Sequence, residues 1–260
     1  MKKIEDIQEL RSIQMGILDE VHRFCEAHGL RYFLSSGTLI GAVRHKGYIP
    51  WDDDIDISMP RHDYDIFVKN FKDIDDRYYV MSPDKNKDYY YFFAKVVDSR
   101  TLMIEDEVKG FEIGVYLDVF PIDFIPDDET KRKRLFRIKY LLYKIRKCKL
   151  AHENPYASKF AYFFYRYLPV TVCQLNKIIR FLIISKKKTN RVCNMSEAGP
   201  RYDRSYSASS IAHSVDIEFE GKIYKTMIGY KEYLTNSYGD YMSLPPVEQR
   251  EIHHFKAFWR

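Results

Sequence analysis

Cysteine is scarce in this chain. Its four cysteines, Cys25, Cys148, Cys173 and Cys193, include no Cys-x-x-Cys pair, which argues against a zinc ribbon or a disulfide framework and for reduced thiols. Long apolar runs are also missing. The longest candidates, around Phe160–Cys173 and Ile178–Ile184, carry Arg166 and Arg180 and fall short of the roughly 20 apolar residues of a spanning helix. The opening stretch, MKKIEDIQELRSIQMGILDE, meets acidic residues at once and has no apolar h-region, so no signal peptide is expected. The expected location is cytoplasmic, with at most peripheral contact to the inner face of the membrane. Glycine (11) and proline (10) are not in excess, which excludes fibrous and low-complexity classes. A chain of 260 residues, 45% hydrophobic and 16% aromatic, buries a real core without difficulty.

Acidic residues are absent from one part of the chain. Between Lys131 and Arg191 there are 18 Lys and Arg against one acid, Glu153, a local net charge of +17. The whole chain carries +5, so the remainder stands at −12. Two regions of opposite charge imply two different tasks.

Apolar positions Ile4, Ile7, Leu10, Ile13, Ile17, Leu18, Val21, Phe24 and Cys25 recur every three or four residues and predict an amphipathic helix that stops at Gly29. RYFLSS reads as a short strand, GTLIGAVRH as a turn into a helix, DIDISM as a half-buried strand, and RHDYDIFVKNF as the next helix. Residues 77–81, 90–98, 101–105 and 113–120 are β-rich, and Pro121 is expected to end the last of them. The basic segment reads as two or three helices, and VDIEFEGKIYKT as a hairpin turning at Gly221. This order implies an α+β fold with a mixed sheet. The boundaries expected are 1–130 for a catalytic core with its N-terminal helix, 131–200 for a basic helical segment, and 201–260 for a part completing the catalytic domain.

The most informative stretch is SSGTLIGAVRHKGYIPWDDDIDISM, with four Asp in the five positions 52 to 56. On a strand, Asp54 and Asp56 share one face while Ile55 and Ile57 turn to the core. Adjacent carboxylates repel unless a cation lies between them, and Mg²⁺, hard and oxygen-seeking, suits them, with Mn²⁺ as second choice. Asp118 sits inside the apolar run GVYLDVF, where a charge needs a partner, and a neighbouring strand brings it to the same metal. Asp123 is a weaker fourth candidate. Three converging carboxylates fit phosphoryl transfer. Gly37, between a strand and a helix, offers backbone N–H groups to a phosphate, and Ser36 and Thr38 add hydroxyls. Arg44, His45, Lys46 and Lys95 are candidate phosphate contacts. An EF-hand loop starting at Asp52 fails, since Ile57 and Asp63 stand where Gly and Glu are required, and no P-loop spacing occurs.

SSGTLIGAVRHKGYIPWDDDID resembles the LicD family, bacterial phosphocholine transferases related to the fukutin-type ribitol-phosphate transferases. FAKVVDSRT, GVYLDVFPID, FEGKIYKT, YLTNSYGDYMSLPP and the late HH extend the resemblance from Ser35 to His254. It implies a nucleotidyltransferase-like mixed β-sheet flanked by helices, with a basic helical insertion. It also implies a Mg²⁺-bound set of aspartates, a CDP-linked donor, a glycan or lipid-linked glycan acceptor, and CMP as leaving group. By motif, Gly37 and its neighbours are the phosphate turn, Asp54 and Asp56 the metal pair and Asp118 the third carboxylate. His253 and His254 are adjacent, so at most one faces the site. In KRKRLFRIKYLLYKIRKCKL, the residues Leu135, Ile138, Leu141, Leu142, Ile145 and Leu150 are spaced as an apolar stripe for an anionic membrane surface. No nucleic-acid recognition motif occurs. A glycosyltransferase using a nucleotide-sugar and an Asp-x-Asp metal site stays open, as does transfer of ribitol or glycerol phosphate in place of phosphocholine.

Overall fold

The computed structural model describes the chain apart from residues 73–75, 87–88, 105–111, 152–157, 186, 197–201 and 251–255. In chain order, β1 (Lys2–Ile4) leads into α1 (Ile7–His28), then β2 (Phe33–Leu34), α2 (Ser36–His45), β3 (Asp56–Pro60) and α3 (Arg61–Asn70). The strands β4 (Tyr78–Met81), β5 (Ala94–Asp98), β6 (Thr101–Met103) and β7 (Tyr116–Ile125) follow. Next come the helices α4 (Glu129–Leu150), α5 (Lys159–Tyr167) and α6 (Val172–Ile183). The chain returns through β8 (Arg191–Asn194), β9 (Tyr206–Ser207), β10 (Ser214–Phe219), β11 (Lys222–Met227), α7 (Tyr230–Tyr238) and β12 (Ala257–Trp259).

The main sheet runs β2-β3-β7-β5-β4, with β8 and β9 continuing from the far half of β7. β3 and β7 pair in parallel and the other pairs are antiparallel, so the sheet is mixed, as expected. Its core packs Ile17, Leu18, Val21 and Phe24 of α1 with Leu39 of α2, Phe67 of α3 and the inward residues of β3, β5 and β7. α1 forms where its apolar spacing predicts from Ile7 onward, while Ile4, read as part of it, lies in β1. Asp6 caps its first turn through the Gln8 N–H, and Gly29 ends it with φ 62. The β10–β11 hairpin turns through Glu220 (φ 51) and Gly221 (φ 72), the left-handed pair of a tight hairpin.

Three expectations are corrected. Pro121 does not end a strand: β7 runs on to Ile125 with Pro121 opposite Met59 of β3. The missing N–H costs no ladder bond, because β5 pairs only as far as Val119 and β8 takes over from Ile122. Second, β1 pairs with β12, and β12 in turn with β6, in a small three-stranded sheet that no pattern announced. Third, the apolar stripe expected on α4 is not one outward face. Ile138 and Leu141 are exposed, Ile145 is buried, and Leu135 and Leu142 pack against the cluster formed by Ile125, Phe136, Tyr143, Leu175 and Ile179. The buried face holds Phe136 and Tyr143 with the stems of Arg132, Lys139 and Arg146. Cations buried on a helix need partners, and these have them. Arg146 donates to Asn176 Oδ1 at 2.6 Å and to the carbonyls of Tyr89 and Tyr90, and lies over the Phe92 ring. Arg132 donates to the Pro126 and Asp127 carbonyls at 3.0 Å. Asp128 caps this helix through the Lys131 N–H at 2.7 Å.

Candidate active site

The site begins with strand register. Asp56 of β3 stands directly beside Asp118 of β7, and Asp118 directly beside Lys95 of β5. Directly opposed residues point to the same face of a sheet, so the three side chains form one row across three strands. Lys95, a strand lysine that an edge would leave in solvent, is 1% exposed here. Its Nζ donates to Asp118 Oδ1 at 2.8 Å and lies 3.2 Å from the centre of the Tyr116 ring. Asp56 and Asp118 are 9% and 8% exposed. Within the row, two buried carboxylates stand beside one lysine.

Asp54 is not on a strand. It lies in the loop 52–55 that delivers the chain into β3, while Ile55 and Ile57 are buried in the core. The Asp-x-Asp spacing therefore places the two side chains by a loop and a strand end, not by pleat alternation. Asp54 still acts on Asp56. Burial, then the charges of Asp54, Asp118 and Asp52, push the Asp56 carboxyl well above the usual carboxylate range, and Lys95 offsets only part of that. Upstream, one carboxylate oxygen from each of Asp52, Asp53 and Asp54 lies within 4.8 Å of the others. A set made of hard carboxylate oxygens suits a hard divalent cation.

α2 aims its N-terminus at this acid cluster. Ser35, at the N-cap, donates its N–H to the Asp56 carbonyl at 3.0 Å, and Asp56 donates its own N–H to Thr38 Oγ1 at 2.8 Å. Helix start and strand start are thus fastened together. Thr38 is buried and positions Asp56. Ser36 takes φ 49, a left-handed conformation that is uncommon outside glycine, and donates its N–H to the Tyr233 hydroxyl at 3.1 Å. A Cβ at Gly37 would stand 2.6 Å from Asp52 Oδ2, so glycine lets that carboxylate lie against the first turn of the helix.

The other candidates fall on two sides of this picture. Arg44 donates Nη1 to the carbonyls of Tyr241 (2.9 Å) and Ser243 (3.1 Å) and Nε to His45 Nε2 (2.9 Å). It ties the end of α2 to the loop after α7. Burial and then Arg44 hold the His45 imidazole below its ordinary value. Lys46 caps α2 at φ 63, and its carbonyl accepts from the Glu220 N–H at 2.9 Å. Asp123 is not part of the row. Five residues beyond Asp118, it points to the opposite face, where Arg61 grips both its oxygens at 2.7 and 2.6 Å. His253 and His254 lie outside the described residues.

Sequence reasoning missed the support from α1. Arg11 Nη2 donates to the carbonyls of Ile49 (3.1 Å), Pro50 (3.2 Å) and Asp52 (2.7 Å). Gln14 Nε2 donates to the Asp53 carbonyl at 2.7 Å, while its Oε1 accepts from the Tyr48 hydroxyl at 3.0 Å. Two polar side chains of α1 thus hold the backbone of the acidic loop. Gln14 is 1% exposed. A polar residue so deep among the apolar positions of α1 was the one signal available.

The family model described as LicD/FKTN/FKRP, nucleotidyltransferase domain, matches residues 29–152, which contain α2, the acidic loop and the row Asp56, Asp118, Lys95. The chain is 33% identical to the lipopolysaccharide cholinephosphotransferase LicD of Haemophilus influenzae, over 98% of each chain. It is 28% identical to an uncharacterised protein of Rickettsia typhi over 47% of this chain and 38% of the relative. A short stretch, 13% of this chain and 7% of the relative, is 53% identical to the human ribitol 5-phosphate transferase FKRP. With a family match over the acid cluster and similarity running end to end, the chain belongs to the LicD family.

Proposed function

We propose that the chain is a nucleotidyltransferase-like, Mg²⁺-dependent transferase. It moves a phospho-alcohol, phosphocholine in the first instance, from a CDP-linked donor to a sugar hydroxyl of a cell-surface glycan or its lipid-linked precursor. CMP is the leaving group. The observation that carries this reading is the buried row of Asp56, Asp118 and Lys95 facing Asp54 beside the N-terminus of α2. The full-length relative is named for cholinephosphate transfer to lipopolysaccharide and the short match for ribitol 5-phosphate transfer, which supports phospho-alcohol transfer as the reaction class.

The residues divide the work. Asp54 and Asp56 would hold Mg²⁺, which when bound neutralises the diphosphate and the departing nucleotide, and Asp118 stands beside them as the base. The first turn of α2, at Gly37, turns backbone N–H groups toward phosphate oxygens, while the Ser36 N–H is held by the Tyr233 hydroxyl. The acceptor oxygen attacks the distal phosphorus in line, the bond from that phosphorus to the CMP oxygen breaks, and the proton passes to Asp118. Lys95 orients Asp118 through Oδ1. Arg11 and Gln14 hold the acidic loop still during the reaction.

The test is CMP release from CDP-choline with Mg²⁺ and a surface-glycan acceptor, comparing wild type with Asp54→Asn and Asp118→Asn. Metal-dependent release lost in both variants supports the reading. Release from CDP-ribitol alone changes the alcohol and keeps the reaction. Turnover of a nucleotide-sugar, or CDP-donor turnover indifferent to EDTA, overturns it.

A further inference from the structure

The basic helices carry a feature that the transfer reaction does not use. Every exposed phenylalanine among the described residues lies on α5 or α6: Phe160 (83% exposed), Phe163 (55%), Phe164 (57%) and Phe181 (76%). With Tyr167, at 72%, those on α5 fall at positions i, i+3, i+4 and i+7. That spacing is the apolar stripe of an amphipathic helix, normally turned to a core. Here it is turned to solvent.

The orientation is built in. Tyr165 and Leu168 pack inward against the cluster under α4 and α6. Arg166 Nη1 donates to the carbonyls of Cys148 (3.0 Å) and Ala151 (2.8 Å) at the end of α4. Lys149 Nζ returns bonds to the carbonyls of Arg166 (3.0 Å) and Leu168 (2.9 Å). These bonds fix α5 on α4 with its aromatic stripe outward. α6 repeats the arrangement: Leu175, Ile179 and Ile183 are buried, and Ile178 and Phe181 face out.

Charge selects the partner. The segment 131–191 holds 18 Lys and Arg against one acid; Lys159 next to Phe160 and Lys177 one turn before Phe181 are exposed, as are Lys187 and Lys188 after α6. Two such faces from two copies would repel. An anionic bilayer surface matches both properties, accepting aromatic rings at the headgroup boundary and drawing in lysines. No helix among the described residues is long and apolar enough to cross a membrane.

We propose that the α5 stripe Phe160, Phe163, Phe164 and Tyr167, with Phe181 of α6, seats the protein on an anionic lipid surface, with α5 in place of α4 as the inserting element. The proposal is independent of the transfer reaction, because its readout contains no nucleotide.

The experiment is co-sedimentation of the full chain with vesicles of phosphatidylcholine alone or with about one-third phosphatidylglycerol. Wild type should bind the anionic vesicles and not the neutral ones, and binding should weaken as salt rises from about 0.1 to 0.5 M. Phe160→Ser combined with Phe164→Ser should weaken binding by about tenfold or more, with an unchanged melting temperature since both sites are exposed. Phe160→Trp with Phe164→Trp should restore it. Three results overturn the proposal. One is the absence of binding to anionic vesicles. Another is binding that the double serine variant retains. The third is a sedimentation-velocity dimer that this variant dissolves, which would make the stripe a contact between copies.

Discussion

Replacing Asp56 by Asn should stabilise the metal-free protein. Asn preserves the shape of the side chain and removes one charge from the row. Paired strands lie about 4.8 Å apart, so the charges of Asp56 and Asp118 repel by about 3 kcal/mol at an effective dielectric constant of about 20. Asp54 adds to the repulsion and Lys95 offsets part of it, which leaves a gain of about 1–2 kcal/mol for the Asn variant. For a chain of this size that is about 2–8 °C in melting temperature. The assay is thermal unfolding in EDTA and again in Mg²⁺. Wild type should melt lower in EDTA than the Asn variant and gain on adding Mg²⁺, and the variant should gain much less. The pH dependence has a definite sign. A carboxyl whose folded pKa is raised costs nothing below its ordinary range near pH 4, where both states are protonated, and its full cost appears above the raised value. Metal-free wild type should therefore lose stability relative to the variant as pH rises through that window, and the Mg²⁺ shift should grow over the same window. An Asn variant that melts lower than wild type in EDTA at neutral pH would refute the argument that this row is held against its own repulsion.

Other predictions follow from the surrounding contacts. Lys95→Met strips Asp118 of a buried partner and should cost about 3–5 kcal/mol, read by urea unfolding, with CMP release lost as well. Arg11→Ala frees the carbonyls of residues 49, 50 and 52 and should slow turnover about tenfold, roughly 1.4 kcal/mol of positioning. The effect should fall on kcat more than on KM, and Arg11→Lys should recover part of it. Asp98 is fully buried and bound by Arg77 and Arg100, both at 2.9 Å. Burial raises its carboxyl, and the hydrogen bonds from Arg100 and Arg77 outweigh that and hold it below the usual range. The stability it contributes is present above about pH 4 and is lost as pH falls through its folded value. Asp98→Asn should flatten that acid limb of the unfolding curve while lowering stability at neutral pH.

The elements nearest the chemistry were the legible ones. α1, α2, α3 and the β10–β11 hairpin carry their periodicity and their turn residues in the open, and each forms where its pattern places it. Strand register was not legible. That Lys95 stands beside Asp118, and Asp118 beside Asp56, depends on pairing between strands 23 and 62 residues apart along the chain, which no local pattern encodes. The exclusion of Asp123 could be read from its odd spacing to Asp118, and its pairing with Arg61 could not. α4 was misread for a physical reason. Apolar spacing assumes that cations face water, yet Arg132, Lys139 and Arg146 lay their stems inward and meet carbonyls and rings. The apolar stripe that does face solvent lies on α5, a nine-residue helix that is shorter and less basic than α4.

One strand shows how the fold treats its acids differently. β7 carries Asp118 near its start and Asp123 near its end. At the far end, Asp123 receives a bidentate arginine and is fully answered. At the near end, Asp118 shares one buried lysine with Asp56, with Asp54 close by. Many of the chain's 42 Lys and Arg lie on α4, α5 and α6. The near end is also where the parallel pair β3 and β7 begins, opposite to the strand end at which doubly wound parallel sheets bind ligands. The chain enters β3 there from the acidic loop, and α2 starts there with its N–H groups. A strand end that keeps carboxylates close, anchors the backbone of the acidic loop from α1 and faces it with a helix N-terminus is consistent with the cation and diphosphate that the proposed function requires there.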